Sequence, residues 1–206
     1  MPSIYQLKPA FQGLLRPLVN ALARMGVTAN QVTIAAVVLA AAVGVAVGCF
    51  ADPRVLLLLP LALFLRMALN AVDGMLAREH GQASKLGAIL NELGDVVADA
   101  AMYLPLALRP GFPATLIVVF VVLGIIVEMT GVIGVQIGAS RRYDSFGKSD
   151  RALFVGLVGL LYGLGWHLHI ESLAIGFFAM CVASAKAVFS RAQGALAEIS
   201  EKGGAA

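Results

Sequence analysis

The chain has 206 residues, of which 60% are hydrophobic and 13% charged, with a formal net charge of +3. So apolar a composition leaves too little polar surface for water, which makes the chain an integral membrane protein. The small positive balance fits loops facing anionic lipid rather than nucleic acid, for which no motif is present. The apolar runs are continuous and rich in Leu, Val, Ala and Gly, unlike the short alternating segments of an outer-membrane barrel.

In chain order, residues 9–25 mix Phe11, Leu14, Leu15, Leu18 and Leu22 with Arg16, Asn20 and Arg24. The stretch is too polar to cross a bilayer and periodic enough to lie flat as an interfacial amphipathic helix. Gly26 is placed to end it, and Thr28 or Asn30 to cap the helix that follows. A crossing helix needs about 20 apolar residues. Six segments meet that need, at 31–50, 55–77, 85–108, 113–138, 151–168 and 171–191, with Pro60 read as a tolerated kink in the second. The expectation is one all-α polytopic domain over 1–206, with six transmembrane helices over 31–191 behind the amphipathic helix.

Lys and Arg set the orientation, because basic residues beside spans are retained in the cytoplasm. Lys8, Arg16 and Arg24 precede the first span; Arg78 and Lys85 follow the second; Arg141, Arg142, Lys148 and Arg151 follow the fourth; and Lys186, Arg191 and Lys202 follow the last. The opposite loops hold only Arg54 and Arg109, so both termini are expected in the cytoplasm of a cell whose inner membrane holds the chain. Cys49 and Cys181 lack metal-ligand spacing and read as packing residues, and Trp166, His167 and His169 as interfacial anchors. The tail after Gly194 is small and polar, as in a helix end that frays.

Against this apolar background, polar side chains at depth stand out, since an unpaired carboxylate in the bilayer costs about 3 kcal/mol or more. The second span turns polar in its last third, where Asn70, Asp73 and Ala77 share a face and Gly74 leaves room for close approach by a ligand. The third span places Gly87, Asn91, Asp95 and Asp99 at four-residue steps on one side. Two such stripes facing each other make a pocket. Arg66, one turn deeper than Asn70, either pairs with Asp95, Asp99 or Glu128 or snorkels outward. Glu128 is the one acid of the fourth span and is expected to pair with Arg66 or wall the pocket. In the basic loop, Lys148 and Arg151 open a helix just after Gly147 and suit a phosphate, as do Arg141 and Arg142 unless their charge only sets topology.

The pattern Asp73-Gly74, Ala77-Arg78, eight residues, Gly87 and Asp95 resembles the motif of the CDP-alcohol phosphotransferase family, which also has a cytoplasmic amphipathic helix and six spans. The motif carries four Asp, and this chain has Asn70 and Asn91 at two of those positions. The resemblance implies that Asp73, Asn70, Asn91 and Asp95 hold a divalent metal, Mg²⁺ or Mn²⁺, as one ion or two. It also implies that Gly74, Ala77, Arg78 and Gly87 receive the CDP moiety, that Asp95 is the base, and that the protein is a homodimer. An Asn carbonyl coordinates hard cations without charge. Each lost carboxylate forfeits roughly 4 kcal/mol per unit of cation charge at an effective dielectric near 20, which Asp99 or other groups can offset.

The implied reaction is displacement at phosphorus. An alcohol attacks the lipid-bearing phosphorus of a CDP-linked lipid, CDP-diacylglycerol being favoured, and CMP leaves. A basic loop favours a phosphorylated alcohol, with serine, choline or a sugar alcohol also open. Two other readings compete with this one. A non-catalytic relative would bind nucleotide, lipid or a partner without turnover, and a small exporter would use the buried acids as a proton relay without needing CDP-lipid or metal.

Overall fold

In the computed structural model, residues 4–140, 146–166 and 168–204 are described, and every regular element among them is helical. Helix α1 spans Ile4–Arg24 and α2 spans Ala29–Cys49. Between them Gly26 takes φ +77°, a left-handed turn that a Cβ would resist, and Thr28 caps α2. The Thr28 hydroxyl accepts from Gln31 N at 3.2 Å, and the Gln31 side chain accepts from Thr28 N at 2.8 Å.

A 3₁₀ turn at Pro53–Leu57 leads into α3, Leu58–Glu79. The helix therefore begins later than the hydropathy run, and Pro60 sits in its first turn, where a missing N–H removes no helical bond. Pro60 is not a mid-helix kink. Helix α4, Lys85–Tyr103, is capped by Ser84, whose hydroxyl accepts from Gly87 N at 2.9 Å. It stops short of the expected 108, because Pro105 converts its end to a second 3₁₀ turn at Leu104–Leu108. Helix α5 is Ala114–Gln136, α6 is Lys148–Gly163 and α7 is Ile170–Gly204. The last is 35 residues long and continues far past 191 without a break at Gly194. Its end is tied down by Glu198, which accepts from Ser140 N at 3.0 Å and from Lys202 Nζ at 2.8 Å.

Four stretches are long and apolar enough to cross a membrane: Ala29–Cys49, Pro53–Glu79, Ala114–Gln136 and Ile170–Lys202. Helices α4 and α6 pack into this frame, α4 mainly on α2 and α6 on α3, while α5 pairs with α7. Small residues let the backbones close. A Cβ on Gly44 of α2 would stand 1.9 Å from the Ala101 carbonyl of α4, and one on Gly159 of α6 would stand 2.7 Å from the Leu56 carbonyl. Aromatic rings fill the space where four helices meet. Phe120 lies 5.9 Å from Tyr103, 5.6 Å from Phe177 and 6.3 Å from Phe154, centroid to centroid. Cys181 is buried beside this cluster, whereas Cys49 is exposed at the end of α2. Trp166 is exposed between α6 and α7, and His167 lies outside the described residues.

Helix α1 lies across the end of α3. Val19 is buried among Val32, Val72, Met75 and Leu76, and Arg16 Nη2 meets Glu79 Oε1 at 2.9 Å. Its Leu14 and Leu18 face outward.

Candidate active site

The first turns of α2, the last turns of α3 and the first turns of α4 enclose a polar cavity of about 550 Å³. Asn70, Asp73, Gly74, Ala77 and Arg78 line it from α3, Gly87, Asn91 and Asp95 from α4, and Lys148 from the start of α6. The two stripes separated in sequence by a cap and a turn thus face one space. Asp73 is buried, Asn70 and Asp95 are half-buried, and Asn91 is exposed toward the opening.

Asp95 is the most heavily engaged side chain. Its Oδ1 accepts from Asn70 Nδ2 at 2.9 Å and Arg66 Nη2 at 3.2 Å, and its Oδ2 accepts from Lys148 Nζ. Asn70 therefore acts as a donor toward Asp95, a part that an Asp at this position would not play. Asp73 is held differently. Its Oδ2 accepts from the Thr33 hydroxyl at 2.8 Å, and that hydroxyl also reaches the Ala29 carbonyl at 3.1 Å. Thr33 and the neighbouring cavity residue Asn30 were absent from the sequence-derived set.

Arg78 folds back over Gly74. A Cβ there would meet the guanidinium nitrogens at 3.0 and 3.1 Å, so Gly74 seats Arg78 as well as opening the floor. Gly87 has a similar part, since a Cβ on it would stand 2.8 Å from Asn30 Oδ1.

Below the cavity runs a chain of buried charges. Arg66 Nη1 meets Asp99 Oδ1 at 2.6 Å, Arg151 Nη2 lies 3.7 Å from Asp99 Oδ2 and 3.1 Å from Glu128 Oε1, and Arg191 Nη1 lies 3.8 Å from Glu128 Oε2. Arg66 thus pairs with Asp95 and Asp99. Glu128 meets Arg151 and Arg191 rather than Arg66, correcting the expected pair. Arg151 was read as a phosphate ligand beside Lys148. It is only 2% exposed and turned inward, because two acids on other helices capture its guanidinium. The start of α6 is likewise taken by its own residue, as Asp150 Oδ2 accepts from Gly147 N at 2.9 Å. Arg141 and Arg142 lie outside the described residues. Arg191 was not anticipated in this network.

Among the described residues no three His, Cys, Asp or Glu side chains gather as a metal cluster. The cavity nevertheless offers two carboxylates, Asp73 and Asp95, and two amide carbonyls, Asn70 and Asn91, an all-oxygen donor set. Mg²⁺ and Mn²⁺ take such donors, and one or two carboxylates completed by substrate phosphates suffice for a single Mg²⁺. The residues fit one divalent ion.

A groove of about 520 Å³ meets the cavity at Asn70 and Lys148 and runs between α3 and α6. Its walls are apolar, with Leu63, Phe64, Leu153, Leu157 and Leu160 along its length and Arg66 and Asp99 at the polar end.

Comparison with known proteins bears on this geometry. Residues 26–185 match the sequence profile of the CDP-alcohol phosphatidyltransferase family. The chain is 49% identical over 159 residues to the inner membrane protein YnbA of Escherichia coli K12, covering 77% of this chain and 79% of that protein. Its fold is similar to that of Mycobacterium tuberculosis phosphatidylinositol phosphate synthase PgsA1. The CDP-DAG-bound structure superposes with a TM-score of 0.73 at 18% identity, covering 87% of this chain and 92% of that one. The structure in complex with manganese and citrate gives 0.73 at 19% identity over 87% and 88% of the two chains.

Proposed function

This chain belongs to the CDP-alcohol phosphatidyltransferase family and is a phosphotransferase of the membrane, and on that premise we propose that it moves a phosphatidyl group from CDP-diacylglycerol to an alcohol, releasing CMP. The observation that carries the reading is one cavity. It gathers Asp73, Asp95, Asn70, Asn91, Gly74, Ala77, Arg78, Gly87 and Lys148, and an apolar groove lies against it, sharing Asn70 and Lys148. A donor with a diphosphate head and acyl chains fits that pairing of a polar chamber with an apolar trough.

In the proposed reaction Gly74, Ala77 and Gly87 leave space for cytidine, and Arg78, seated on Gly74, contacts phosphate. Asp73, with the Asn70 and Asn91 carbonyls, would hold a divalent ion, Mg²⁺ first and Mn²⁺ second, which would supply charge neutralisation at the leaving phosphate, and Asp95 is kept for the proton. Thr33 holds Asp73 in place at the cavity wall. Lys148 transfers from Asp95 to a phosphate oxygen when substrate enters, freeing Asp95 Oδ2 to accept the proton of the acceptor hydroxyl. The hydroxyl oxygen forms its bond to the lipid-bearing phosphorus, and the bond from that phosphorus to the bridging oxygen breaks. The electron pair leaves with CMP.

The acceptor enters from the loop side, and a phosphorylated alcohol such as glycerol phosphate or inositol phosphate suits Lys148 together with Arg141 and Arg142. On this reading α2 to α7 are six spans of one domain over 1–206, α1 lies in the interface with Leu14 and Leu18 toward lipid, both termini are cytoplasmic, and the protein is a homodimer.

The experiment is CMP release by the purified chain from radiolabelled CDP-diacylglycerol, with Mg²⁺ or Mn²⁺ and a panel of alcohols. Acceptor-dependent release that is lost in Asp95→Asn, with donor binding kept, is the expected result. Unchanged turnover in Asp95→Asn removes that residue from the base role. A second reading, binding without turnover, draws on the full occupancy of both Asp95 oxygens; it predicts bound donor with no CMP under any acceptor.

A further inference from the structure

We infer that the cavity takes a single divalent ion and that the Lys148 ammonium is a tethered cation in the place of a second. The inference rests on the reading of the cavity as a diphosphate site. It begins from charge. Among the described residues the ionisable side chains that line the cavity are Asp73, Asp95, Arg78 and Lys148, two acids against two bases, so these walls are neutral. A diphosphate diester brings two negative charges, and one divalent ion balances them. A second ion would leave two positive charges uncompensated in a half-buried site beside hydrocarbon, where unpaired charge is expensive. Asn70 and Asn91 are the reason. Carboxylates at those two positions would add two negative charges, the complement of one further divalent ion.

Geometry gives the same answer by another route. A carboxylate shared between two ions needs oxygen lone pairs that are not already turned to donors. Asp95 has turned both oxygens to donors, Oδ1 to Asn70 Nδ2 and Arg66 Nη2, Oδ2 to Lys148 Nζ. The Asn70 amide helps to lock it there, since its Nδ2 points at Asp95. The carboxylate left for an ion is Asp73, whose Oδ2 is steadied by Thr33, with Asn91 across the cavity from it on α4. Lys148 reaches this place because it is the first residue of α6, beside the cavity mouth.

The test counts Mn²⁺ bound to the purified chain in detergent with saturating CDP-glycerol, a soluble diphosphate diester, by equilibrium dialysis and by the electron paramagnetic resonance of the bound ion. One Mn²⁺ per chain with the spectrum of an isolated ion is expected. Lys148→Met should still bind one, at least tenfold more tightly, and Lys148→Arg should return to within about threefold of the parent. The triple variant Asn70→Asp, Asn91→Asp, Lys148→Met should bind two with a spin-coupled spectrum. Should Lys148→Met elute as aggregate, Lys148→Gln takes its place. Two Mn²⁺ of similar affinity on the parent chain, none at all, or an affinity indifferent to Lys148 overturns the inference. Because the count needs no turnover, one ion without CMP release would spare this inference and remove the proposed reaction. Two ions with CMP release would do the reverse.

Discussion

Thr33 shows how much one hydroxyl can decide. It spends its proton on Asp73 at 2.8 Å inside a buried corner, and without it the carboxylate would turn or draw in water. A net hydrogen bond to a charged group contributes about 1.5–3 kcal/mol. Thr33→Val should therefore weaken Mn²⁺ binding by about tenfold, read by the same dialysis, and lower the melting point as well, because Val fills the space but leaves the buried carboxylate without its donor. Gly74 tests a different idea. The Cβ of Gly74→Ala would press the far end of the flexible Arg78 side chain at 3.0 Å, which can yield by a few tenths of an ångström. The melting temperature should hold while KM for the CDP-lipid rises several-fold. A fall in stability with KM unchanged would mean that Gly74 serves packing instead. Arg66 stands at the other extreme, buried and joined to Asp95 and Asp99. Arg66→Met takes the 2.6 Å partner from Asp99 and leaves it Arg151 at 3.7 Å, at a cost of about 3–5 kcal/mol at most. The double variant Arg66→Met, Asp99→Leu should recover much of that loss in a detergent melt, and a loss that simply added would show that the two residues act independently.

At the scale of the helix, close approach outweighs apolar area, since lipid is as apolar as any helix face. Gly44 of α2 faces the Ala101 carbonyl of α4 so closely that a Cβ would sit at 1.9 Å, and the carbonyl belongs to rigid backbone. A Cβ on Gly48, one turn on, would meet the Pro105 ring at 3.5 Å and Leu108 Cδ1 at 3.7 Å, both ordinary contacts. Gly44→Ala should lower the detergent melting point sharply, by overpacking worth about 1–3 kcal/mol or more, while Gly48→Ala should leave it in place. Equal effects would place the α2–α4 contact elsewhere. These helices, and the polar stripes on α3 and α4, were legible because four-residue spacing survives folding. The long-spaced motif led to the family by the same logic. What the sequence did not disclose came from other elements. Thr33 bonds the carbonyl four residues back, as an ordinary Thr in an apolar helix does, so its tie to Asp73 left no mark. Arg151 shares a helix turn with Lys148, yet Asp99 and Glu128, on separate helices, draw it the other way. Pro60 was misplaced because hydropathy cannot see a 3₁₀ turn in front of α3.

Across the whole molecule the charge distribution also bears on orientation, and the fold sharpens the count. Of the two basic residues assigned to the outer loops, Arg109 is bound to backbone: its Nη1 donates to Phe50 O at 2.7 Å and Val47 O at 3.2 Å, and its Nη2 to Ala51 O at 2.9 Å. It closes the carbonyl end of α2, where a cation complements the helix dipole, so it has a structural reason to stand on that side. Arg54 is then the one outer basic residue left to oppose the inner set, and Arg16 and Lys202, which lie on α1 and near the end of α7, belong to that set. The imbalance favours both termini in the cytoplasm. Alkaline phosphatase fused after Gly111 should be active and green fluorescent protein fused at the C-terminus should fluoresce, since the first needs the periplasm and the second the cytoplasm. Arg109→Ala should leave both signals unchanged while lowering the melting point, because the residue closes a helix end rather than setting direction. Inverted signals in the parent would place the cavity mouth, with Lys148 and Arg78, on the face away from the cytoplasm. The proposed reaction would then draw its phosphorylated acceptor from, and release CMP to, the wrong side.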